Sequence, residues 1–110
     1  MVTETFFSLD VRDMKRATQF YVGALGATVT TATERWSSLH IAGVRIGLFH
    51  NAAHTTASTG LHFAVRDLAE ARAAIIQAGG TCAADMQAAP GVVLAHATDT
   101  EGNTFTLRGP

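Results

Sequence analysis

The sequence contains an internal repeat with an offset of 54 residues, from Asp13 to Asp67. Val11-Arg12-Asp13-Met14 returns as Val65-Arg66-Asp67-Leu68. Three further identities occur at the same offset: Ala17 with Ala71, Ala24 with Ala78, and Gly26 with Gly80. An offset of about half the chain predicts two copies of one supersecondary unit, and hence a pseudo-symmetric fold. We therefore expect the functional surface to lie between the two copies.

The composition indicates how many domains to expect and which kinds of partner are not expected to bind. A chain of 110 residues with 47% hydrophobic and 15% charged residues is expected to form one domain with a substantial core. The net charge of −1, with no cluster of Lys and Arg, argues against a nucleic-acid partner. The single cysteine, Cys82, excludes an internal disulfide. Because no apolar run approaches the ~18 residues of a membrane span and no signal-peptide pattern is visible, we expect a cytoplasmic protein without a membrane partner.

The first half has the pattern of a strand, a helix and three strands. Alternation of apolar and polar residues predicts a strand over residues 5–11. Asp13 has the position of a helix N-cap, and helical spacing of apolar residues continues to Gly26. Three strands are predicted after the helix, over residues 28–33, 36–42 and 44–50, and Ala42-Gly43 is typical of a tight hairpin turn.

The second half repeats this order. A strand is predicted around residues 60–65, and Asp67 followed by Glu70 has the spacing of a capping box for a helix that stops at Gly79-Gly80. The remaining strands are predicted over residues 81–86, 92–98 and 104–107. We interpret the chain as one α+β domain over residues 1–110, made of two βαβββ modules, about 1–50 and about 60–110, joined by a polar linker over residues 51–59.

This layout resembles the vicinal oxygen chelate superfamily of glyoxalases, bleomycin-resistance proteins and extradiol dioxygenases. Three signatures carry the resemblance: Val11-Arg12-Asp13 before a helix with Phe20-Tyr21 and Leu25-Gly26, Val65-Arg66-Asp67 before a helix ending in Ala78-Gly79-Gly80, and Asp99-Thr100-Glu101-Gly102-Asn103 before Phe105-Thr106-Leu107. The last of these looks like the family's Asp-Pro-Asp-Gly-Asn turn and final strand. The resemblance covers essentially the whole chain. It implies an open, U-shaped sheet cavity between the modules, often completed in a homodimer.

The resemblance also indicates where a metal would be bound. Metal-dependent members place His, Gln or Glu on the first and last strand of each module. The matching positions here are Phe6, Gly47, Gly60 and Thr106, and none of them supplies a carboxylate, imidazole or thiolate. We therefore expect a protein without a metal or other cofactor.

Strand alternation predicts the side chains that line the cavity. The candidate ligand-binding residues are Phe6, Ser8, Trp36, His40, Arg45, Phe49, His62, His96 and Thr106. They combine aromatic walls with a few polar groups, which is typical of a small-molecule site. His50 and His54, at the linker, are expected to be solvated, Tyr21 is expected in the core, and Asp99 is expected to hold its own turn.

Each candidate also has a purely structural interpretation. A strand histidine ordinarily bonds water or backbone, and Trp36 can fill the end of the sheet cavity. Arg45 can lie in solvent or pair with Asp10 across the cleft.

The sequence favours a metal-independent protein that binds an aromatic or hydrophobic small molecule, for drug or metabolite sequestration, as a homodimer. The alternative is a small enzyme of the same superfamily, a glyoxalase-like lyase, an isomerase or a cyclase. Such an enzyme would use His62 or His96 as a general base, or a displaced metal site built from the cavity histidines.

Overall fold

Each half of the chain folds as one helix packed against a mixed sheet. The computed structural model describes residues 1–110. The first module contains β1 (Phe7–Val11), α1 (Met14–Leu25), β2 (Thr28–Ala32), β3 (Trp36–Ile41) and β4 (Val44–His50). The second contains β5 (Ala57–Ala64), α2 (Leu68–Gln77), β6 (Thr81–Cys82), β7 (Met86–Ala89), β8 (Val92–Thr98) and β9 (Asn103–Gly109).

The two sheets have the same topology. The strand order is β1-β4-β3-β2 in the first sheet and β5-β9-β8-β6 in the second, where β7 also pairs with β8. In both modules the first and last strands are parallel and the other pairs are antiparallel. The predicted fold class, two βαβββ modules of α+β type, is confirmed.

The helix signals in the sequence correspond to observed caps. The carboxylate of Asp13 accepts a hydrogen bond from the Arg16 N–H at 3.0 Å, and that of Asp67 accepts one from the Glu70 N–H at 3.1 Å. Gly26 ends α1 in the left-handed conformation, with φ of 68°. α2 ends slightly earlier than predicted, at Gln77.

The core lies between the helices and the sheets and is continuous across both modules. It is one cluster of 17 buried hydrophobic residues, from Leu9 in β1 to Leu107 in β9. Phe20 of α1 contacts Tyr21 edge-on and reaches Phe105 of β9, with ring centroids 5.0 and 6.4 Å apart. The two repeats therefore share a hydrophobic interior.

The turn between β8 and β9 docks the second module onto the first. Asp99 accepts hydrogen bonds from the backbone N–H groups of Glu101 and Asn103, so it holds its own turn as predicted. It also accepts a hydrogen bond of 2.5 Å from the Tyr21 hydroxyl, and the Asn103 amide donates to the Asp10 carbonyl at 3.0 Å. Tyr21 is fully buried, in agreement with its predicted place in the core.

Further predicted boundaries differ from the structure. β1 begins at Phe7 and not at Thr5. β5 begins at Ala57, inside the predicted linker 51–59, because Ala57 and Ser58 pair with β9 beyond a register shift that no periodic pattern marks. The strand predicted over residues 81–86 is divided into β6 and β7. Between them, Arg72 of α2 donates to the Ala83 carbonyl and pairs with Asp85, so these backbone and side-chain groups are bound to the helix.

Candidate functional site

The face of the first sheet that points away from α1 carries two regular rows of side chains across its strands. One row is Asp10, Phe49 and Trp36, and the next is Ser8, Gly47 and Ser38. Beyond them His40 lies opposite Arg45. Six of the nine predicted ligand-binding residues, those of the first module, belong to this face: Phe6, Ser8, Trp36, His40, Arg45 and Phe49.

Trp36 and Phe49 form an aromatic surface at one end of this face. Their ring planes are 17° apart and their centroids are separated by 6.5 Å. Phe49 is 39% exposed and Trp36 is half-buried, so the pair is open to solvent. A planar ligand can stack on such a surface, which contributes about 1 kcal/mol beyond the area that it buries.

Arg45 is held in place at the other end of the face. Its Nε donates to the Ser38 hydroxyl at 3.0 Å, and its guanidinium carbon lies 4.4 Å from the centre of the Phe6 ring. Its Nη1 donates to the Glu4 carboxylate at 2.7 Å. The partner of Arg45 is therefore Glu4, not Asp10, whose carboxylate accepts from the Asn51 amide at 3.1 Å.

One polar atom on this face has no partner. His40 is half-buried, and its Nδ1 is buried without a hydrogen bond. A buried nitrogen without a partner costs free energy of about 1–3 kcal/mol. His40 lies next to Arg45 on this face.

The corresponding face of the second sheet is more polar. Its middle row is His62, Thr106 and His96, which brings together the remaining three predicted residues. His96 Nδ1 lies 3.2 Å from the Thr106 hydroxyl. Both histidines are exposed and Thr106 is buried.

Within one chain, the predicted site is divided between the two sheets. Among the main cavities, His62 lines the largest and Ser8 lines a polar cleft; the other predicted residues lie on open sheet faces. The structure thus groups the predicted residues into two sets, one aromatic with an arginine and one histidine-rich. We refer to them as the aromatic half-site (Phe6, Ser8, Trp36, His40, Arg45, Phe49) and the histidine half-site (His62, His96, Thr106).

A polar cleft of about 460 Å³ lies where β1 and β5 approach each other. Its lining includes Ser8, Asp10, Ser58, Asn103 and His54. The prediction that His54 is solvated is wrong, because it is only 9% exposed. Asn51 accounts for this: its side chain accepts from the Ala53 N–H and its carbonyl from the His54 N–H, which folds the segment back over the sheet.

His54 and Asn103 are two polar residues of this cleft that were not predicted from the sequence. His54 Nε2 and Asn103 Oδ1 are buried without a hydrogen-bond partner. Asn51, two residues before Ala53, is the sequence signal for the local turn that buries His54, since Asn side chains bond the backbone two residues on. No comparable signal marks the free oxygen of Asn103.

The largest cavity, of about 570 Å³, lies on the helix side of the sheets. Hydrophobic residues make up 12 of its 14 lining residues; they come from the end of α1, the β3–β4 hairpin, β5 and α2, with Phe7 of β1. It is separate from both half-sites apart from His62, and sequence reasoning did not predict it. Its volume is that of a small-molecule pocket.

The groups with strongly displaced pKa values lie at the junction of the modules and not in the half-sites. Burial raises the pKa of the Glu101 carboxyl, but hydrogen bonds from Arg16, the Asp13 N–H and Thr100 outweigh it and lower the pKa to about 2. Burial, and then the charge of Asp99, raise the pKa of the Tyr21 hydroxyl. These groups hold the modules together, so the pKa shifts mark structure here and not catalysis.

Residues 6–108 match the family described as the glyoxalase-like domain. The chain belongs to this family, and so to the vicinal oxygen chelate superfamily. The resemblance stated from the sequence is confirmed. No curated protein matches the sequence.

Solved structures of this superfamily share the fold. The fosfomycin resistance protein FosX from Listeria monocytogenes is 16% identical, with a TM-score of 0.84 over 100% of this chain and 94% of that chain. A mutant of it complexed with Mn(II) and 1S,2S-dihydroxypropylphosphonic acid is 17% identical, with a TM-score of 0.81 over 97% and 90%. A glyoxalase/bleomycin resistance protein from Albidiferax ferrireducens is 20% identical, with a TM-score of 0.71 over 97% and 98%. At such identities the comparison establishes the fold alone.

The residues of this glyoxalase-like chain do not fit the divalent metal that part of its superfamily binds. Nowhere do three or more His, Cys, Asp or Glu side chains come together as a metal site. At the four family positions, Phe6 and Gly47 offer no donor and the Thr106 hydroxyl is beside His96. Gly60 has a left-handed φ of 72° within the register shift of β5. Binding without a metal stays a prediction, and no chemical step is assigned to a metal.

Proposed function

We propose that this glyoxalase-like protein is a metal-independent small-molecule binding protein that takes up an aromatic or hydrophobic ligand on the inner sheet faces. The observation that carries the proposal is the exposed Trp36–Phe49 pair on the same face as Arg45. Apolar area and an orienting cation are thus available together, and these are the elements of a small-molecule site. Drug or metabolite sequestration is the role that we propose for this binding.

Each half-site has a role in the proposal. Trp36, Phe49 and Phe6 provide the stacking surface, while Ser8, Arg45 and His40 orient the polar end of the ligand. His62, His96 and Thr106 supply further hydrogen bonds from the second sheet. A strongly cationic ligand is disfavoured, because the net charge of the chain is only −1 and the aromatic half-site carries an arginine.

We propose further that a homodimer closes the site. The two half-sites lie on open faces of one chain, and Phe6 and Phe49 are 41% and 39% exposed. Apolar side chains left open on a sheet face favour association with a second surface. A second copy would cover these faces and exclude water from the ligand.

An enzymatic function is the second candidate, favoured by the row of His62, Thr106 and His96. An exposed imidazole beside a hydroxyl can act as a general base without a metal. This protein would then be a lyase, isomerase or cyclase with His62 or His96 as general base. Only turnover of a bound compound distinguishes the two candidates.

Native mass spectrometry of the purified protein, with metal analysis on the same sample, tests the proposal. We expect the purified protein to contain a bound organic compound. Otherwise, an added planar aromatic compound should bind and shift the single indole N–H signal in the NMR spectrum, which belongs to Trp36. One equivalent of tightly held metal, lost when two of His40, His62 and His96 are replaced, would contradict it. Conversion of the bound compound would favour the enzyme.

A further inference from the structure

The N-terminal segment places a carboxylate on the arginine of the aromatic half-site. Glu4 and Arg45 are 41 residues apart in the sequence, and the Glu4 carboxylate accepts one hydrogen bond from Arg45 Nη1, at 2.7 Å. Residues 1–6 belong to no helix or strand and are exposed. The carboxylate therefore comes from a segment that has few other contacts to hold it there.

This ion pair is weak enough to be exchanged. The Glu4 side chain is 51% exposed and that of Arg45 is 28% exposed, and exposed ion pairs contribute little to stability. Arg45 keeps one contact outside the N-terminal segment, the hydrogen bond from its Nε to the Ser38 hydroxyl of β3. Its guanidinium thus stays in position when Glu4 leaves.

The free edge of the guanidinium suits a carboxylate. Nε is engaged by Ser38, whereas Nη1 has only Glu4 and Nη2 has no partner on this face. The Nη1–Nη2 edge can donate two parallel hydrogen bonds to a carboxylate, a stronger arrangement than the single bond that Glu4 makes.

The aromatic surface extends toward this edge. Gly47 lies between Arg45 and Phe49 on β4, and a Cβ there would be 2.9 Å from Cε2 of Phe49. The Phe49 ring therefore lies over Gly47, on the side of the arginine. An aromatic ligand that stacks on Phe49 and Trp36 would therefore have one edge facing Arg45.

We propose that Arg45 binds the carboxylate of an aromatic acid, and that Glu4 is an internal carboxylate which occupies this subsite until the ligand displaces it. The inference rests on the proposed binding function and gives its ligand class. Arg45 is then the residue that selects aromatic acids over neutral aromatic compounds. Glu4 competes with the acids for Arg45 and so lowers the affinity of the protein for them.

The test is to compare the binding of 2-naphthoate with that of its neutral analogue 2-naphthamide. Calorimetry and the NMR signal of the Trp36 indole N–H measure the binding. We expect wild-type protein to bind the acid about tenfold more tightly than the amide, the size of one charge-assisted hydrogen bond. Glu4→Gln should raise the affinity for the acid about two- to fivefold, the worth of an exposed ion pair, and leave the amide unchanged. Arg45→Gln should abolish the preference for the acid.

Glu34→Gln is the matched control, because Glu34 is an exposed carboxylate whose loss changes the net charge equally. Equal gains in acid affinity in Glu4→Gln and Glu34→Gln would overturn the proposal, since general repulsion would then explain both. Binding of both compounds without preference would overturn it and leave the proposed function standing. Binding of neither compound to any variant would contradict both.

Discussion

Glu101 in the β8–β9 turn forms an ion pair with Arg16 in α1, with 2.7 Å between Oε2 and Nε. The other carboxylate oxygen accepts hydrogen bonds from the backbone N–H groups of Arg12 and Asp13, at 3.0 and 2.9 Å. The Glu101 side chain is fully buried. A residue of the second module thus satisfies free N–H groups near the start of the first helix, a position that favours a negative charge. This contact joins the two modules.

Replacing Glu101 should destabilise the protein without affecting the ligand. We expect Glu101→Gln to lower the free energy of unfolding by about 3 kcal/mol, because it removes the charge from a buried, fully bonded group. Chemical denaturation measures this loss. Asp85→Asn, which breaks the exposed ion pair with Arg72, is the control and should cost less than about 1 kcal/mol. Equal losses in the two variants would contradict the structural role of Glu101.

The Glu101 pKa also predicts how stability depends on pH. The pKa of Glu101 is lowered from 4.5 to about 2, which means that the ionised carboxylate is more stable in the folded than in the unfolded state. Its contribution is complete above the unfolded pKa and is lost as the pH falls from about 4.5 to about 2. The stability difference between wild type and Glu101→Gln should therefore shrink between pH 5 and 2, measured by denaturation at several pH values. A constant difference over this range would contradict it.

Much of this fold follows from local patterns in the sequence. Asp13 and Asp67 predict both helix starts, and alternation along β3 and β5 places Trp36 and His62 on the faces away from the helices. These features can be predicted because a helix cap or a strand face depends on residues that are close in the sequence. The pairing of Glu101 with Arg16 spans 85 residues, and a single sequence carries no pattern for it.

The site is less predictable than the fold for the same reason. Alternation predicts the face on which Arg45 lies, but its partner Glu4 comes from a segment without periodicity. His54 was expected in solvent because its segment is polar. Instead, the Asn51 side chain accepts from the Ala53 N–H and the Asn51 carbonyl from the His54 N–H, and His54 is buried. The division of the site between two sheets depends on how the modules dock, which residue patterns within one strand do not specify.

Two substitutions should separate the ligand surface from the core. Trp36→Ala should weaken binding of 2-naphthoate by at least about fivefold, since stacking contributes about 1 kcal/mol, and leave the protein folded. Leu61→Ala should lower the free energy of unfolding by about 2–5 kcal/mol, because Leu61 is buried in the core. Calorimetry and denaturation of both variants measure these effects. Unfolding of Trp36→Ala would show that Trp36 is a structural residue.

The β3–β4 turn offers a stabilising substitution. Ala42 has a φ of 48°, a left-handed conformation that is strained for alanine, and Gly43 follows it. We expect Ala42→Asn to raise the free energy of unfolding by about 0.5–1 kcal/mol, because Asn-Gly is the preferred pair for such a turn. Ala42→Thr is the opposite control and should destabilise, as a β-branched residue tolerates this φ poorly. Thermal denaturation measures both effects. Melting temperatures of both variants close to that of the wild type would contradict the inference that the turn is strained at Ala42.

Metal should have no effect on the stability of this protein. Phe6, Gly47, Gly60 and Thr106 offer no set of ligands for a divalent cation, so the purified protein should contain no stoichiometric Zn²⁺, Ni²⁺, Mn²⁺ or Fe²⁺. Elemental analysis and melting with and without EDTA measure this. A lower melting temperature after chelation would indicate a site built from other residues, because a bound metal stabilises the folded state.

The open half-sites predict a dimer in solution. At micromolar concentration we expect sedimentation of a particle of twice the 11.6 kDa chain mass. Thr104 is exposed on the inner face of β9, so Thr104→Glu should shift the protein toward monomer, because a partner that covers this face would bury an unpaired charge. Gln77→Glu adds the same charge on the exposed end of α2 and should leave the dimer intact. Sedimentation as a monomer at all concentrations would contradict closure of the site by a second copy.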